Sequence, residues 1–225
     1  VYPAGEAIIN NPILYYIHDP MCSWCYAFNT SCQALEVGLP RSVEWFRVVG
    51  GLAPDTEEPM PEPLRRQIQQ TWHRIEQTEP GVRFNFDFWL KNTPLRSTYP
   101  ACRAVLAAKK QAAGFELKMI TSIQTAYYRR ALNPSLLETL VHCAEQIGLD
   151  IEAFAADLEG NEIERELRRQ IGLARFLQAS TFPSLRLEIG GTVYPIAVDY
   201  LNHVPMFEAV TSLLAGAGND RNPGS

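Results

Sequence analysis

The sequence predicts an α/β protein in which two short groups of strands enclose a long helical segment. Three patterns carry this prediction: a strand–helix–strand unit near the start, a middle with apolar residues every three or four positions, and a strand with strict alternation followed by a hairpin near the end. The chain has 225 residues, 46% of them hydrophobic and 20% charged, which is enough to bury a core without disulfide staples.

The composition argues against two classes of binding partner, nucleic acids and membranes. Twenty Lys and Arg against 25 Asp and Glu give a net charge of −5, which argues against a protein that coats nucleic acid or binds an anionic membrane surface. The apolar runs are only a few residues long, so we expect no segment to span a bilayer.

The N-terminal part predicts a βαβ unit. Residues 12–17, PILYYI, form an apolar run with aromatic and branched side chains, typical of a strand buried on both faces. Residues 22–37 carry apolar side chains at helical spacing, and residues 42–49 form a second apolar segment that ends at Gly50. A strand, a helix and a strand in this order predict a parallel pair.

From about Pro59 the pattern becomes helical. Asn133 is predicted as a helix N-cap with Pro134 in the first turn, and Asp150 is predicted to cap the short helix that follows. The predicted helices lie around residues 64–75, 99–113, 133–148, 150–158 and 161–174.

The last part predicts a hairpin and a helix. Residues 184–189 alternate strictly, and Gly190-Gly191 is a two-residue hairpin signal before a return strand at 192–194. An amphipathic helix is predicted from about Pro205, and the final residues, 219–225, are predicted to be a disordered tail.

The cysteine content indicates a reducing compartment. Five cysteines in 225 residues are too few for a disulfide-stapled secreted domain. The first residues show no basic segment followed by an apolar one, so no signal peptide is visible, although the chain begins at Val1 and a removed leader stays open. We therefore expect a cytoplasmic protein.

The motif Cys22-Ser23-Trp24-Cys25 is the one sharp chemical signal, because it lies between a buried strand and a helix. The first thiol of such a motif sits beside unpaired N–H groups and the positive end of the helix dipole, which stabilise a thiolate. The second lies one turn inside the helix, where it can resolve a mixed disulfide. We expect Cys22 to attack and Cys25 to resolve.

Two other interpretations of the motif fit the sequence less well. A structural zinc site needs four ligands, and the sequence has neither a second close cysteine pair nor a suitably spaced histidine pair. The other interpretation is a chance pair of inert buried thiols. It is less favoured because the position between a strand and a helix is the one that a redox motif requires. Cys32, Cys102 and Cys143 are predicted to be core residues, since free cysteine is so often buried. Asp19, which precedes the motif, is predicted to form a turn, with a proton-relay role as the alternative.

Several segments together resemble the DsbA-like thiol–disulfide oxidoreductases of the thioredoxin-like superfamily, and more closely its cytosolic branch. They are the strand ILYYI, the motif DPMCSWCYAF, the stretch RSTYPACRAVLAAKK, and TFPSL ahead of the glycine hairpin. The resemblance implies a thioredoxin-like α/β fold with an inserted all-helical subdomain. It divides the chain into a discontinuous thioredoxin-like domain, 1–58 and 161–218, the helical insertion, 59–160, and the tail, 219–225.

The resemblance also implies further site residues. Phe182-Pro183 would be the cis-proline pair that faces the cysteines, and Thr181, Phe182 and Pro183 would present the sulfur of the substrate. Ser23 and Trp24 are expected to contact substrate. No metal and no organic cofactor is implied, and glutathione stays open as electron donor or acceptor. The expected partner is a protein or small molecule that carries a thiol or a disulfide, with no nucleic acid or membrane.

The function expected from these residues is to oxidise, reduce or isomerise disulfides. Ser23-Trp24 differs from the Gly-Pro of thioredoxin and the Pro-His of DsbA, so the direction stays open. One alternative is a glutathione-dependent enzyme resembling the kappa-class transferases or the hydroxychromene-carboxylate isomerases, which tend to carry Ser in place of the first cysteine. The other is a redox-silent module that binds a peptide or adaptor partner.

Overall fold

A four-stranded mixed sheet organises the protein, of which the computed structural model describes residues 11–219. The strands lie in the order β2–β1–β3–β4. β1 runs parallel to β2 and antiparallel to β3, and β3 and β4 form an antiparallel hairpin. The strands are β1 Ile13–His18, β2 Glu44–Val49, β3 Ser184–Ile189 and β4 Thr192–Ile196. The predicted βαβ unit and hairpin are confirmed.

Helices cover the sheet, and most of them come between β2 and β3 along the chain. They are α1 Ser23–Gly38, α2 Glu62–Thr78, α3 Phe88–Lys91, α4 Tyr99–Gln111, α5 Phe115–Tyr128, α6 Leu137–Gln146, α7 Ile151–Glu159, α8 Asn161–Phe176 and α9 Val204–Asn219. The chain thus has the predicted α/β architecture, with an all-helical insertion between β2 and β3 along the chain. Within residues 11–219, no helix combines the length and apolarity that a membrane crossing requires.

Both faces of β1 are buried, which explains its unbroken apolar run. Leu14 and Tyr16 pack on one face with residues of α1, such as Phe28, and with residues of α9. Tyr15 and Ile17 pack on the other face with the end of α8. Since consecutive strand residues point to opposite faces, a strand between two helical layers has apolar side chains at every position.

The helical insertion has an aromatic core that reaches the motif. Trp72 of α2 is fully buried and contacts the rings of Phe84, Tyr127 and Tyr128. The same hydrophobic cluster includes Met21, just before Cys22. The insertion therefore packs against the end of the sheet from which α1 starts.

Helix α8 joins the insertion to the sheet. Its first half contributes Ile163 and Leu167 to the helical core, and its second half contributes Ala174 to the layer under β1. The predicted division of the chain at 160 and 161 stays a prediction. The predicted tail lies outside the described residues, except for Asn219, at which α9 ends.

Two features of the helical region differ from the expectation. The helix predicted from Asn133 begins at Leu137, because Asn133 accepts a hydrogen bond from the N–H of Ser135 and holds residues 133–136 in a turn. Helices α3 and α5 were not predicted. In α5 the apolar residues do follow helical spacing, but Glu116 and Gln124 are also buried and interrupt the stripe. The predicted Asp150 cap is confirmed, since its carboxylate accepts from the N–H of Ala153.

Candidate active site

A tight turn brings the first cysteine of the motif to the start of α1. β1 ends at His18, and the N–H of Cys22 donates to the carbonyl of Asp19 at 3.0 Å. Cys22 is the N-cap residue, and the first turn of the helix contains no acidic side chain. A thiolate at this position therefore meets the positive end of the helix dipole without a competing negative charge from the helix itself.

The two thiols of the motif have different environments. Cys22 is 8% exposed and Cys25 is 0% exposed, and both are free thiols. Hydrogen bonds from the Cys25 thiol and from backbone N–H groups lower the pKa of Cys22, while burial and Asp19 oppose that shift. Burial raises the pKa of Cys25 well above its ordinary value. Chemically, Cys22 is the better nucleophile of the pair and Cys25 is the shielded one.

The segment before β3 closes over Cys22. The Cys22 thiol donates a hydrogen bond to the carbonyl of Phe182 at 3.5 Å. The Phe182–Pro183 peptide bond is cis, Pro183 is buried, and Thr181 is exposed. A Cβ atom added to Gly50 would lie 2.2 Å from the Phe182 ring. The ring therefore packs against the backbone of Gly50, the residue that follows β2.

A groove of about 390 Å³ opens above Cys22. Trp24 forms part of its wall, held between the ring of Tyr200, 5.0 Å away, and the guanidinium of Arg74, 5.5 Å away. Arg96 is half-buried in the wall and has no acidic side chain within 4 Å in the part of the chain that the structure describes. The other residues lining the groove are Met21, Ser23, Leu52, Ile68, Thr71, Trp72, Tyr127, Ser180, Thr181 and Phe182.

The structure thus brings together most of the predicted site residues. Ser23, Trp24, Thr181 and Phe182 line one groove with Cys22, whereas Cys25 and Pro183 lie behind that surface. The sequence analysis gave no site role to four residues of the insertion, Arg96, Thr71, Trp72 and Tyr127. Arg96 opens the stretch RSTYPACRAVLAAKK, but nothing in that stretch indicates that its side chain faces Cys22.

Asp19 lies below the motif and is completely buried. As predicted, it forms a turn, and its Oδ1 accepts from the N–H of Met21 at 2.8 Å. It also contacts Thr98 and Cys102 of the insertion, which the sequence analysis did not anticipate. Both partners belong to the stretch STYPAC at the start of α4, where their spacing of four places them on one face of the helix.

The remaining cysteines lie in the core, as predicted. Cys32, Cys102 and Cys143 are 5%, 0% and 1% exposed, and burial raises the pKa of each thiol. Among residues 11–219, no three His, Cys, Asp or Glu side chains are grouped so that they could hold a metal ion.

Comparisons with known proteins identify the family. The sequence model of the family described as Thioredoxin matches residues 15–187. A protein from Nitrosomonas europaea assigned to the protein disulfide isomerases superposes with a TM-score of 0.81 at 25% identity, over 92% of this chain and 99% of that one. The cytosolic disulfide reductase DsbM from Pseudomonas aeruginosa superposes with a TM-score of 0.72 at 25% identity, over 90% and 98%. DsbM has also been solved with GSH, and that structure superposes at 0.69 with 23% identity, over 90% and 99%.

A sequence relative has a different printed role. The ClpXP adapter protein SpxH from Halalkalibacterium halodurans is 23% identical over 178 residues, which is 76% of this chain. The chain spans 56% of the length of that relative.

The fold and the cysteine pair define a thiol–disulfide oxidoreductase scaffold. The family match runs from within β1 to within β3 and includes the cysteine motif, the helical insertion and Phe182-Pro183. The chain belongs to the thioredoxin family, and its structural neighbours place it with the DsbA-like oxidoreductases.

Proposed function

We propose that this protein is an enzyme that exchanges disulfides through a mixed disulfide formed on Cys22. One observation carries the proposal: the Cys22 sulfur lies at the N-terminus of α1, 3.5 Å from the Phe182 carbonyl oxygen, with the fully buried Cys25 behind it. This arrangement gives one reactive thiol that faces a groove and one protected thiol that is not open to solvent.

The proposed reaction has two exchange steps. The Cys22 thiolate attacks one sulfur of a substrate disulfide, which forms a Cys22–substrate disulfide and releases the other substrate sulfur as a thiolate that takes up a proton. Cys25 then loses its proton and attacks the Cys22 sulfur, which releases the second substrate thiol and leaves a Cys22–Cys25 disulfide. The substrate gains two electrons and two protons, and the protein loses them.

Ser23, Trp24 and the segment Thr181-Phe182-Pro183 are proposed to position the substrate sulfur. The backbone at Thr181 and Phe182 borders the groove, and the Phe182 carbonyl already accepts from Cys22. An extended substrate chain laid along this segment would bring its sulfur over Cys22. The indole of Trp24 offers it an apolar wall.

Glutathione is the electron donor that we propose, because the groove carries positive charge. Arg96 has no acidic partner within 4 Å among the described residues, and Arg74 lies on the rim against Trp24. Glutathione has two carboxylates and one thiol, so it complements two arginines placed around a nucleophilic cysteine. Two molecules of glutathione would return the Cys22–Cys25 disulfide to thiols and leave as one glutathione disulfide.

Disulfide reduction with glutathione as the only reductant tests this function. We expect turnover of a small disulfide by the wild type, no turnover by Cys22→Ser, and an accumulating mixed disulfide in Cys25→Ser. Arg96→Ala should raise the KM for glutathione with little change in kcat. The matched control is Arg83→Ala, since Arg83 is exposed and lies outside the groove.

The same protein should be tested for the rival glutathione chemistry. A wild type that conjugates glutathione to a chlorinated aromatic, and that does not reduce disulfides, contradicts the proposal. That result would favour the transferase or isomerase function.

An adaptor function is the second candidate, and the relative named as a ClpXP adapter favours it. In this case the groove above Cys22 would bind a partner polypeptide without electron transfer. A Cys22→Ser, Cys25→Ser double variant that still binds ClpX and speeds degradation of a bound partner would support it. Loss of both effects in the double variant, with reductase activity in the wild type, would count against it.

A cytoplasmic location is also proposed. It is supported by the sparse free cysteines and by the likeness to DsbM, which is described as cytosolic. Trapping thiols with acid in intact cells tests it, since we expect Cys22 and Cys25 to be mostly reduced. A pair that is fully oxidised in growing cells would contradict it.

A further inference from the structure

A second cavity, of about 360 Å³, lies beside the groove above Cys22. Residues of α1, the loop after α2 and the segment before α9 form its walls. It shares no lining residue with the groove, but the two are neighbours, because Trp24 of the groove and Tyr200 of the cavity have ring centroids 5.0 Å apart. The proposed disulfide exchange does not use this cavity.

The carboxylate of Glu79 lines this cavity without a positive partner. Glu79 is 7% exposed, and among residues 11–219 no Lys, Arg or His nitrogen lies within 4 Å of its carboxylate. Burial raises the pKa of Glu79 and the charge of Asp199 adds to the rise. The Thr78 hydroxyl opposes it, but this hydroxyl also donates to the carbonyl of Arg74 at 3.1 Å. A buried carboxylate is costly unless a partner compensates for the lost water, so a ligand with a positive charge would be favoured here.

The end of α2 adds negative potential at the same place. Glu79 directly follows the last helical residue, Thr78, and its N–H donates to the carbonyl of Ile75 at 2.8 Å. The last turn of α2 contains no basic side chain. The carbonyl end of a helix dipole favours a cation and disfavours a carboxylate. The helix end, Glu79 and Asp199 are therefore three sources of negative potential that lie close together.

Aromatic and apolar surfaces form other walls of the cavity. Tyr26 lies in α1, directly after Cys25, and Tyr200 lies before α9. Both side chains are half-buried, so part of each ring is open. An ammonium or guanidinium group is attracted to the face of an aromatic ring, and the methylene chain that carries it gains from apolar contact. Leu201, which is 68% exposed, offers that contact.

Two arginines of this region are engaged elsewhere. The guanidinium of Arg74 lies over the ring of Trp24, at 5.5 Å. Arg83 is exposed, and its guanidinium donates to the carbonyl of Val82 at 2.6 Å. Neither guanidinium lies within 4 Å of the Glu79 carboxylate, so the charge of this carboxylate is left for a ligand.

The groove and the cavity both lie where α1 packs on α2. The groove is lined from residues 22–24 and 68–72, and the cavity is lined from residues 26–30 and 79–82, further along both segments. At a rise of about 1.5 Å per residue, the part of α1 that lines the cavity is about 6–12 Å beyond Cys22 along the helix axis. One extended molecule could therefore reach both places.

We propose that this cavity binds an organic cation, an ammonium or guanidinium group on a methylene chain, with Glu79 as its counter-ion. Two sources carry this chemistry: a free amine, and a lysine or arginine side chain of a polypeptide whose disulfide lies over Cys22. The second source rests on the proposed function. At about 3.3 Å per extended residue, such a side chain would lie about two to four positions from the reacting cysteine of the substrate.

Butylguanidinium and its neutral analogue butylurea test the cavity without any substrate. In a titration followed by the ring signals of ¹³C-labelled tyrosine, butylguanidinium should shift Tyr26 and Tyr200 and bind about tenfold more tightly than butylurea, because only the cation forms a charge-assisted hydrogen bond. Glu79→Gln should remove this preference. The matched control is Glu62→Gln, which removes an exposed carboxylate near Arg65 and Arg66 at the other end of α2.

Urea unfolding separates a binding role of Glu79 from a structural one. Without ligand, Glu79→Gln should be at least as stable as the wild type, since it removes an unpaired buried charge from the carbonyl end of a helix. Added butylguanidinium should raise the urea midpoint of the wild type and not that of the variant. A folded variant that is less stable than the wild type would count against the proposal.

Two peptide disulfides distinguish the sources of the cation. One carries arginine three positions from its cysteine, and the other carries the neutral isostere citrulline at the same position. If the cavity takes a substrate side chain, the wild type should have a KM about tenfold lower for the arginine peptide, and Glu79→Gln should lose this difference. Equal KM values, with butylguanidinium still bound, would assign the cavity to a free amine.

Two results would overturn the proposal. One is a wild type in which butylguanidinium and butylurea act equally on Tyr26 and Tyr200, and this comparison decides alone if Glu79→Gln does not fold. The other is a folded Glu79→Gln protein that binds butylguanidinium as the wild type does. The titrations need no turnover, so cation binding by a protein without turnover would refute only the proposed function, and turnover without cation binding would refute only this proposal.

Discussion

Gly50 leaves the space in which Phe182 closes over Cys22, and Gly50→Ala should therefore weaken both stability and activity. The new Cβ would lie 2.2 Å from two ring carbons of Phe182, whereas ordinary contact begins at 3.4 Å. The ring must move by about 1.2 Å, the difference between these distances. Overpacking of this kind costs about 1–3 kcal/mol of unfolding free energy.

The same displacement should reach the active site through the backbone of Phe182. The Cys22 thiol lies 3.5 Å from that carbonyl, so a shift of the ring and its backbone breaks the contact. Misplacement by about 1 Å can lower a catalytic rate by about 100-fold, and we expect turnover with glutathione to fall by about 10- to 100-fold. Urea unfolding and the glutathione-coupled assay measure the two effects on the same preparation.

Two further variants show whether the clash is the cause. Gly172→Ala in α8 meets no atom within 4 Å, and it should stabilise the protein by about 0.5–1 kcal/mol because alanine is the better helix former. In a Phe182→Ala background, Gly50→Ala should cost little, since the obstructing ring is gone. A Gly50→Ala protein with wild-type stability and turnover, or an equal loss in both backgrounds, would refute the reasoning.

Three more outcomes follow from the cysteines and from His18. Iodoacetamide at pH 6–7 should label Cys22 first, since its pKa is lowered while burial raises those of the other four thiols; peptide mapping that finds another cysteine labelled first contradicts this. Mild oxidation should leave three free thiols in the unfolded protein, and a count of one would reveal a second bridge. Burial lowers the pKa of His18 to about 3, whereas the unfolded chain has a value of about 6.5. Between these pH values unfolding therefore takes up a proton. The free energy of unfolding should fall by up to about 1.4 kcal/mol per pH unit as the pH drops below 6.5. His18→Phe should flatten that slope in urea unfolding at pH 4, 5 and 6, and an unchanged slope would show that other groups cause it.

Local patterns were sufficient for most of the fold. The buried run of β1, the alternation in β3 and the glycine pair of the hairpin each depend on neighbours in sequence, and all three are confirmed. Helix α5 was not predicted because two of its buried residues are polar, and in the sequence pattern a buried polar residue looks like one that faces solvent. Glu116 is paired with Lys109, and Gln124 accepts from Asn29, so tertiary contacts compensate two positions that look solvent-facing.

The features of the candidate site also fall into two groups, those set by neighbouring residues and those set by contacts between distant segments. The Cys22–Cys25 spacing is local and could be predicted, as could the turn at Asp19. The partners of Asp19 in α4 lie about 80 residues further along the chain, and the contact between Gly50 and Phe182 joins segments that are still further apart. No periodicity in a single sequence relates such positions, because packing of the complete insertion brings them together.

The order of strands in the sheet also constrains how the protein is made. β1 lies between β2 and β3, and Ile17 pairs with Ser184, so one edge of β1 has no strand partner until the chain has been synthesised almost to its end. At about 5–20 residues per second, the ribosome needs about 10–30 s to add the intervening residues. During that time the apolar edge of β1 can pair with the wrong strand. β1 therefore keeps one unpaired edge while the insertion is being synthesised, and slow elongation through the insertion would lengthen that exposure.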